Sequence, residues 1–571
     1  MVVALRYIFV TLWYCACILS CIDTHLFVYT SLSQTLYPSI IGLLLVIAFG
    51  AVCLFKKKIP TFNAIQIVAL LLAAYILLHG MMIRDAELYK QGYTICTLLF
   101  MVGLGGLVRK ELIGESHIEN GIILISALNI AYLIAQLLCF TDSGDQFFQL
   151  SGANENPNIA AIALTISIPF IIRKIGQKKH IYLMATLLTL VVVFIITLKC
   201  RTAFVGVTSI IVCYAIISAK TRQFIQSKVK NWRWVLGIGM AVVLLSSIAY
   251  NWKKDSAVGR LFIWQRDCEM IAESPLGHGY GKYEAEYNLY QSRYFASHKD
   301  EYANSILTTA CGSAYNDIME HGVQGGVIGG ILYLAFLLLP VYQAYRTRKR
   351  YCLIALFAIV VMSISNSICY SISPWIMTIS IAALLTKYDK SRVTNIAVRA
   401  LCVFALILMS GLLLHREIQL ATSQKLLKEY KEEGNHSIEE IRSLYPAIGT
   451  SEAYWRFLAE CNENAENFKE ADKCYTEARK YTSAPLLLYK SAMCKEKIGE
   501  KSSALEIMKT AVCMLPRNFS QKYHLMMMYG RMNDRQHERL IANDIVTTPE
   551  KFHNETIHFI KEEAERILNE Q

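Results

Sequence analysis

The sequence lacks the patterns that most often reveal a bound cofactor. Its 17 cysteines include no CxxC pair and no spacing typical of a metal site. The glycine-rich stretch GHGYG at residues 277–281 has neither the GxGxxG spacing nor the preceding buried strand of a nucleotide-binding loop. Charged residues are also scarce, at 18% of the 571 residues against 54% hydrophobic residues. We therefore expect no cofactor and no metal, and we exclude a soluble protein of this length.

Hydrophobic runs long enough to cross a bilayer recur about thirteen times along the chain. They lie near residues 5–22, 37–55, 62–83, 92–108, 120–140, 157–172, 181–198, 202–218, 234–250, 323–345, 351–369, 372–386 and 397–415. The first run is predicted to be a retained helix, because no clear small-residue cleavage site follows it. The sequence thus predicts an all-α fold, with a polytopic membrane bundle in residues 1–416 and a second helical domain in residues 417–571.

Basic residues are concentrated in alternate short loops, and Lys and Arg mark the cytoplasmic side of a membrane protein. Those that define this side are Lys56, Lys57, Lys58, Arg109, Lys110, Arg173, Lys174, Lys178, Lys179, Lys220, Arg222, Lys228, Lys230, Arg233, Arg346, Arg348, Lys349, Arg350, Lys387, Lys390, Arg392 and Arg399. The N-terminus is predicted to be cytoplasmic, and the segment 251–320 and the C-terminal domain are predicted to lie outside. This asymmetry explains the net charge of +12, so no nucleic-acid partner is expected.

The composition changes near Ala421 to a charged helical pattern with regularly placed alanines. Positions typical of a tetratricopeptide repeat occur twice, about 33 residues apart, close to the usual repeat of about 34. They are Trp455, Leu458, Ala459, Ala471, Tyr475 and Ala478, then Leu488, Ala492, Ala504, Met508, Ala511 and Pro516. An unrelated helical bundle is the alternative. In either case the domain is predicted to dock a protein partner and not to be catalytic.

Four short elements lie before and within the polar segment 251–320, where we expect chemistry at the membrane surface, and the fourth continues beyond its end. They are GANENPN (152–158), KCRTAFVG (199–206), GRLFIWQRD (259–267) and AYNDIMEHGVQGG (314–326). In this order, and with this topology, they resemble the O-antigen ligase and polymerase superfamily, which includes bacterial protein O-oligosaccharyltransferases. The resemblance covers about residues 152–330 and implies a glycosyltransferase of the bacterial inner membrane, with its C-terminal domain in the periplasm.

Such an enzyme moves a glycan from an undecaprenyl diphosphate carrier to an acceptor at the outer face of the membrane. The resemblance leaves three acceptors open: lipid A core, another lipid-linked glycan, or a protein hydroxyl. A glycolipid transporter and a non-catalytic envelope scaffold are the alternative functions. Besides donor and acceptor, the expected partners are membrane lipid and a protein bound by the C-terminal repeats.

The diphosphate leaving group requires cations, and arginine binds phosphate oxygens with two parallel hydrogen bonds. Arg201, at the outer edge of a span, is predicted to be one such cation. Arg260 is the other, and helical spacing places it on one face with Trp264 and Asp267. The alternative for Arg201 is a side chain that only reaches to the membrane interface. The alternative for Arg260 is a structural salt bridge.

The GANENPN element predicts a helix start at Pro157, whose free N–H groups attract anions. Asn154, Glu155 and Asn156 are predicted to bind substrate there, and a simple helix cap is the alternative. Trp264 is predicted to lie over the carrier beside Arg260, and Tyr283 and Tyr287 are predicted to stack on sugar rings. However, the stripe that contains the two tyrosines, together with Tyr280, Tyr290 and Tyr294, is also typical of packing between helices.

The chain departs from the family at Tyr315, where many ligases have a histidine before the asparagine of the fourth element. A tyrosine with a pKa near 10 is a poor base at neutral pH. We predict that Tyr315, Asn316 and Glu320 act with the two arginines, and that arginine-assisted departure of the diphosphate needs only weak base assistance. Other nearby titratable residues are Asp317, His321, His298 and His278, and His321 is predicted to be a hydrogen-bonded interfacial residue.

Overall fold

The computed structural model describes residues 2–29, 32–55, 60–83, 88–139, 150–154, 156–217, 254–298, 310–388, 395–434, 436–550 and 554–570. Within these ranges the chain forms 23 α-helices and no strand. The predicted all-α class is therefore confirmed. The chain divides into two compact units: Met1–Met82, Tyr89–Lys253 and Tyr315–Lys428 form the first, and Ile83–Leu88, Lys254–Ala314 and Glu429–Gln571 form the second.

The first fourteen helices include all the hydrophobic runs that the structure describes. They are α1 (Val2–Leu19), α2 (Leu32–Phe55), α3 (Ala64–Met82), α4 (Leu88–Arg109), α5 (Glu115–Leu138), α6 (Pro157–Gly176), α7 (Ile181–Thr197), α8 (Arg201–Ile217), α9 (Lys254–Glu273), α10 (Tyr283–Ser297), α11 (Asp317–Arg346), α12 (Arg350–Ser363), α13 (Ile372–Leu385) and α14 (Ile396–Glu433). Helices α9 and α10 belong to the second unit, and the other helices form the first, with α14 extending a few residues past its end.

Twelve of these helices correspond one by one to predicted spans. Seven are long and apolar enough to cross a membrane, namely α2 to α6, α11 and α14, and α1, α7, α8, α12 and α13 are shorter apolar helices. The predicted span at 234–250 lies outside the described residues. The multi-pass membrane character of the chain is confirmed, whereas the orientation of its termini stays a prediction.

Close helix contacts in the first unit are made around two buried tryptophans. Trp13 is fully buried, and its indole Nε1 donates to the carbonyl oxygen of His117 at 3.0 Å. A Cβ at Gly121 would lie 2.6 Å from the Trp13 ring, so only glycine allows α5 to approach α1 this closely. Trp375 is equally buried and donates to Thr97 Oγ1 at 2.9 Å. Each indole N–H therefore has the partner that an apolar core requires.

Loops predicted to share the cytoplasmic side meet at one end of the first unit. Glu115, at the start of α5, accepts from Arg173 Nη1 at 2.8 Å, Lys349 Nζ at 3.1 Å and Tyr388 OH at 2.6 Å. Nearby, Lys387 pairs with Glu111 at 2.9 Å. We call this group of residues the basic end. The predicted basic loops at 56–58 and 220–233 lie outside the described residues.

In the second unit, α10 packs against α9 and against the C-terminal helical domain (Glu429–Gln571). Leu289 of α10 packs against the cluster of Leu488, Ala511, Met514 and Leu515. The helices of this domain are α15 (Ile438–Ser443), α16 (Tyr445–Ile448), α17 (Glu452–Asn464), α18 (Phe468–Ala478), α19 (Pro485–Lys497), α20 (Lys501–Met514), α21 (Phe519–Arg531), α22 (Arg535–Thr547) and α23 (Glu555–Asn569). The predicted boundary at residue 416 falls inside α14, and the assignment of this boundary is still a prediction.

The predicted repeat positions lie on consecutive helix pairs, α17 with α18 and α19 with α20, except Pro516, which follows α20. Most of them are buried, as stacked helical hairpins require. The buried ones are Leu458, Ala459, Ala471, Tyr475, Ala478, Leu488, Ala492, Ala504, Met508 and Ala511. Assignment of these pairs to the tetratricopeptide repeat stays a prediction.

Candidate functional site

The fourth sequence element forms the start of α11. Asn316 is the N-cap residue, and its Oδ1 accepts from the backbone N–H groups of Ile318 at 3.0 Å and Met319 at 3.2 Å. Asparagine is favoured here because its side chain satisfies amides that have no partner in the first turn. The residue before it, Tyr315, has φ +51°. A side chain in this left-handed region costs roughly 1–2 kcal/mol, and such strain is concentrated at functional sites.

Two buried carboxylates follow in the first turn of α11. Asp317 is fully buried and accepts from Tyr333 OH at 2.7 Å and from the backbone N–H of Cys369 at 3.3 Å. Glu320, which is 3% exposed, accepts from Ser367 Oγ at 3.0 Å. These bonds offset the cost of burying the two polar groups. They also attach the start of α11 to the segment between α12 and α13.

Further side chains complete this polar group. Gln324 Nε2 donates to Tyr370 OH at 3.0 Å and to Glu320 Oε1 at 3.4 Å. His321 is fully buried, and its ring stacks on Tyr333 with a centroid separation of 3.9 Å and an interplanar angle of 12°. The burial of His321 suits a packing role better than that of a base in contact with solvent or substrate.

The glycines of the fourth element interrupt α11. Gly326 has φ +65° and ψ −168° inside the helix, a conformation that is essentially restricted to glycine. The carbonyl oxygen of the preceding Gly325 accepts from Tyr75 OH at 2.6 Å. A broken helix is tolerated within a membrane only where its freed backbone groups find such partners. The break separates a short polar first segment of α11 from the long apolar remainder.

Contacts bring three of the four sequence elements together at this end of the first unit. Cys200 Sγ lies 4.0 Å from the carbonyl oxygen of Asn158, which joins the second element to the first. The hydroxyl oxygens of Thr202 and Ser365 lie 3.3 Å apart, and Ser367 in turn bonds to Glu320 of the fourth element. Arg201 is half-buried at the first position of α8, between Cys200 and Thr202. We call this group of elements the polar end.

The first element buries Asn154 and leaves Asn156 and Asn158 half-buried. Asn156 caps α6 by accepting from Asn158 N at 2.9 Å, and Pro157 occupies the first helical position. Asn154 is 7% exposed, and its Nδ2 donates to Gln34 Oε1 at 3.1 Å. These contacts fit the helix-cap alternative for Asn156, and the binding roles of both residues stay predictions. Glu155 lies outside the described residues.

The third element belongs to the second unit and lies on α9. Arg260 is half-buried near the middle of this helix. Trp264 Nε1 donates to the carbonyl oxygen of Ala314 at 3.0 Å. Asp267 is fully buried, and its Oδ1 accepts from Tyr283 OH at 2.8 Å. Burial raises the pKa of Asp267 to about 8, although the bond from Tyr283 opposes this shift.

The tyrosine stripe of α10 packs within the second unit. Tyr283 and Tyr287 are 3% and 0% exposed, and their rings stack on each other with centroids 5.5 Å apart. The guanidinium of Arg266 lies 4.0 Å from the Tyr294 ring centroid. Tyr290 OH donates to Glu269 Oε2 at 3.2 Å. These contacts fit the packing alternative for the stripe, and a sugar-binding role for Tyr283 and Tyr287 is untested.

The two other histidines named from the sequence also belong to the second unit. His278 Nε2 lies 3.2 Å from the carbonyl oxygen of Met270, and His298 is exposed at the end of α10.

Residues 364–371 are the part of the polar end that the sequence elements do not include. The segment supplies Ser365, Ser367, Cys369 and Tyr370 as partners of α8 and α11. Its sequence gives a signal, because five of the eleven residues in SISNSICYSIS at 363–373 are serines between two apolar runs. Polar residues at such a position are expensive unless they face a protein interior.

The family model described as O-antigen ligase matches residues 158–334. This range begins at the last residue of the first element, contains the second and third, and ends beyond the break in α11. No curated protein matches the chain. The match and the helical architecture support the O-antigen ligase superfamily for the core of the membrane region, and with it a membrane glycosyltransferase of the ligase and polymerase kind.

Proposed function

We propose that the chain transfers a glycan from an undecaprenyl diphosphate carrier to an acceptor at the outer face of a bacterial inner membrane. The observation that carries this proposal is the meeting of three separated sequence elements at the polar end. All three touch or lie within the range that matches O-antigen ligase. Packing alone gives no reason for an arginine, a capped helix start and two buried carboxylates to be gathered at one end of an apolar bundle.

In the proposed reaction, a hydroxyl oxygen of the acceptor attacks the anomeric carbon of the glycan. The bond from that carbon to the diphosphate oxygen breaks, and the electron pair leaves with undecaprenyl diphosphate. The configuration at the anomeric carbon is proposed to be inverted, by analogy with the O-antigen ligase family. Arg201 is proposed to stabilise the charge that develops on the diphosphate, because charge-assisted bonds to a guanidinium are among the strongest available.

Removal of the proton from the acceptor hydroxyl is proposed to need only a weak base. A phenol with a pKa near 10 accepts few protons at neutral pH, so Tyr315 is proposed to orient the substrate. Glu320 is proposed to act through the fold. By accepting from Ser367, it holds the segment 364–371 whose Ser365 touches Thr202, the residue after Arg201. The diphosphate then departs with arginine assistance, and the proton of the acceptor hydroxyl passes to water, a weak base.

Reconstitution of the purified full chain in lipid nanodiscs tests this proposal. A donor of undecaprenyl diphosphate and a short glycan would be mixed with lipid A core, a second lipid-linked glycan or an acceptor protein. Released undecaprenyl diphosphate and the product mass are measured for each acceptor. Transfer to one acceptor supports the proposal and identifies that acceptor. Absence of product with all three, at conditions where the donor still binds, contradicts it.

A deletion strain separates transfer from transport. Intact lipid-linked donor should accumulate at the outer face when the transferase is missing. Donor trapped at the cytoplasmic face would indicate a glycolipid transporter, and an unchanged donor pool with altered envelope complexes would indicate a scaffold.

A further inference from the structure

Asn288 connects three separate parts of the second unit through one side-chain amide. It lies on α10 and is fully buried. Its Nδ2 donates to Ser483 Oγ at 2.9 Å and to the carbonyl oxygen of Cys311 at 3.2 Å, and its Oδ1 accepts from Cys311 N at 2.9 Å. Both backbone polar groups of Cys311 are thus bonded by the same amide. Such a buried network is rigid when all its members are satisfied.

Cys311 belongs to the short segment 310–314, which we call the approach segment because Tyr315 follows it directly. The other end of this segment is held by Trp264, whose Nε1 donates to the carbonyl oxygen of Ala314. Backbone groups outside helices need such partners when they are buried, and Cys311 and Ala314 are 1% and 0% exposed. The chain therefore reaches Tyr315 from a segment fixed at two points.

The C-terminal helical domain supplies one side of this arrangement. Ser483 lies in the turn between α18 and α19 and also donates to the carbonyl oxygen of Glu284 at 3.1 Å. Thr482 donates to the Glu284 side chain at 2.7 Å. Further along α10, Gln291 Nε2 donates to the carbonyl oxygen of Met514 at 2.8 Å. Polar bonds at both halves of α10 thus set its position against the domain.

We propose that Asn288 and Ser483 are positioning residues, through which the C-terminal helical domain fixes the approach segment and thereby the strained backbone at Tyr315. The inference rests on the proposed function, because positioning matters only if Tyr315 and Asn316 serve glycan transfer. A tyrosine at φ +51° relaxes to an ordinary conformation unless its neighbours prevent this. The second domain then has a role in the reaction beyond any partner that it docks.

The test compares Ser483→Ala with Ser491→Ala in the purified full chain. Ser491 is the matched control: it is also buried in the C-terminal helical domain, but its Oγ donates to Asp472 of the same domain at 2.9 Å. Hydrogen exchange of a peptide covering residues 310–318 reports the approach segment directly. Loss of one hydrogen bond should speed this exchange about three- to tenfold in Ser483→Ala. Ser491→Ala should leave it unchanged.

Transfer kinetics supply the second measurement. Ser483→Ala should lower kcat about three- to tenfold, with the KM for the donor nearly unchanged, and Ser483→Thr, which retains the hydroxyl, should restore kcat. Unchanged exchange in Ser483→Ala would overturn the tether, and faster exchange with an unchanged kcat would overturn its role in transfer. An inactive wild-type protein would overturn the proposed function and with it any catalytic effect of Asn288, while the exchange result would still decide whether the tether exists.

Discussion

The basic end and the polar end of the first unit hold buried carboxylates in different ways. At the basic end, Glu119 is 3% exposed and contacts both Arg173 and Lys174 of α6. At the polar end, Asp317 of α11 is held by a tyrosine hydroxyl and a backbone N–H. One end therefore uses cations as partners for its carboxylates, and Asp317 at the other end uses neutral donors.

This difference separates stability from chemistry. A buried ion pair is strongly destabilised when one partner is removed, because an uncompensated charge stays behind. A carboxylate held by neutral donors can be replaced by an amide with a smaller loss. We therefore expect the basic end to determine whether the bundle stays folded and the polar end to determine what it does.

The largest effect is expected at the basic end. Glu119→Gln should lower the free energy of unfolding by about 3–5 kcal/mol, because the buried ammonium of Lys174 loses its carboxylate. Thermal unfolding in detergent measures this loss, and glycan transfer per folded molecule should stay close to that of the wild type. A Glu119→Gln protein that is stable but inactive would contradict the hypothesis that the basic end stabilises the fold and the polar end carries out transfer.

The matched change at the polar end is Asp317→Asn. The amide keeps an acceptor for Tyr333 or for the Cys369 N–H and leaves no cation without a partner. The expected cost is about 1–3 kcal/mol. If Asp317→Asn destabilises the protein as much as Glu119→Gln, the two ends do not differ in the proposed way.

The extent to which these features could be predicted differs between the two ends. Twelve apolar runs became helices, since length and hydropathy alone determine which segments can cross a bilayer. Their bounds are close to the predicted ones, except that α14 continues well past residue 415, to Glu433. Alternation of charge correctly grouped Arg173, Lys349 and Lys387 at one end. A local property of the sequence was sufficient in each case.

The polar end was only partly accessible from sequence because its contacts join distant segments. The segment 364–371 contains no element of its own, yet it bonds α11 through Ser367 and approaches α8 through Ser365. The break at Gly326 is recognised from its backbone angles, which the sequence does not give. The bond between Asn288 and Ser483 links residues that are 195 positions apart. Pattern and spacing report neighbours along a helix or strand, so they give no signal for such pairs.

The second largest effect tests the cation of the polar end. Arg201→Ala should reduce transfer roughly 10- to 150-fold for each charge-assisted bond lost, at about 1.5–3 kcal/mol per bond, and Arg201→Lys should restore only part of it. Lys199→Gln is the control, because Lys199 is exposed two residues away and has the same charge. Product formation at normal protein levels is measured. If Arg201→Ala and Lys199→Gln lose the same amount of transfer, the loss reflects general surface charge and not a specific role of Arg201.

Arg260→Ala tests the second predicted cation, which lies in the second unit. This substitution is expected to abolish transfer while the protein stays in the membrane. Full activity at normal expression would remove Arg260 from the mechanism, whatever the result at Arg201.

A third prediction extends the comparison to Asp267, a carboxyl buried in the second unit with Tyr283 as a donor. Burial raises its pKa from 3.8 to about 8, so the folded state holds this proton more tightly than the unfolded chain. The contribution of Asp267 to stability should therefore fall as pH rises from about 4 to about 8, by at most about 1.4 kcal/mol per pH unit, and stay level above that range.

Unfolding midpoints measured across this pH range check the sign. Asp267→Asn should make the slope shallower by the share that Asp267 contributes, at most about 1.4 kcal/mol per pH unit, and leave stability unchanged near pH 4, whereas Glu273→Gln, an exposed change on the same helix, should keep the slope. A slope in Asp267→Asn as steep as that of the wild type would assign the titration to another group.

The smallest effect is expected from the hydroxyl of Tyr315. If this residue orients substrate, Tyr315→Phe should retain most transfer, and Tyr315→His should be tolerated and raise the rate near neutral pH, because imidazole titrates near 6.5. Alanine should be worse than either, since it leaves a hole before α11. Tyr315→Gly separates the ring from the backbone: it also lacks the ring, but it adopts φ +51° without the strain of alanine.

Transfer rates of the four variants at equal protein levels decide among these roles. Glycine above alanine would show that the left-handed backbone, and not only the ring, is part of what the polar end provides. If phenylalanine is as inactive as alanine, the phenolic hydroxyl takes part in the chemistry. The reaction would then depend on a proton acceptor at Tyr315, and a mechanism driven by arginine with weak base assistance would be wrong.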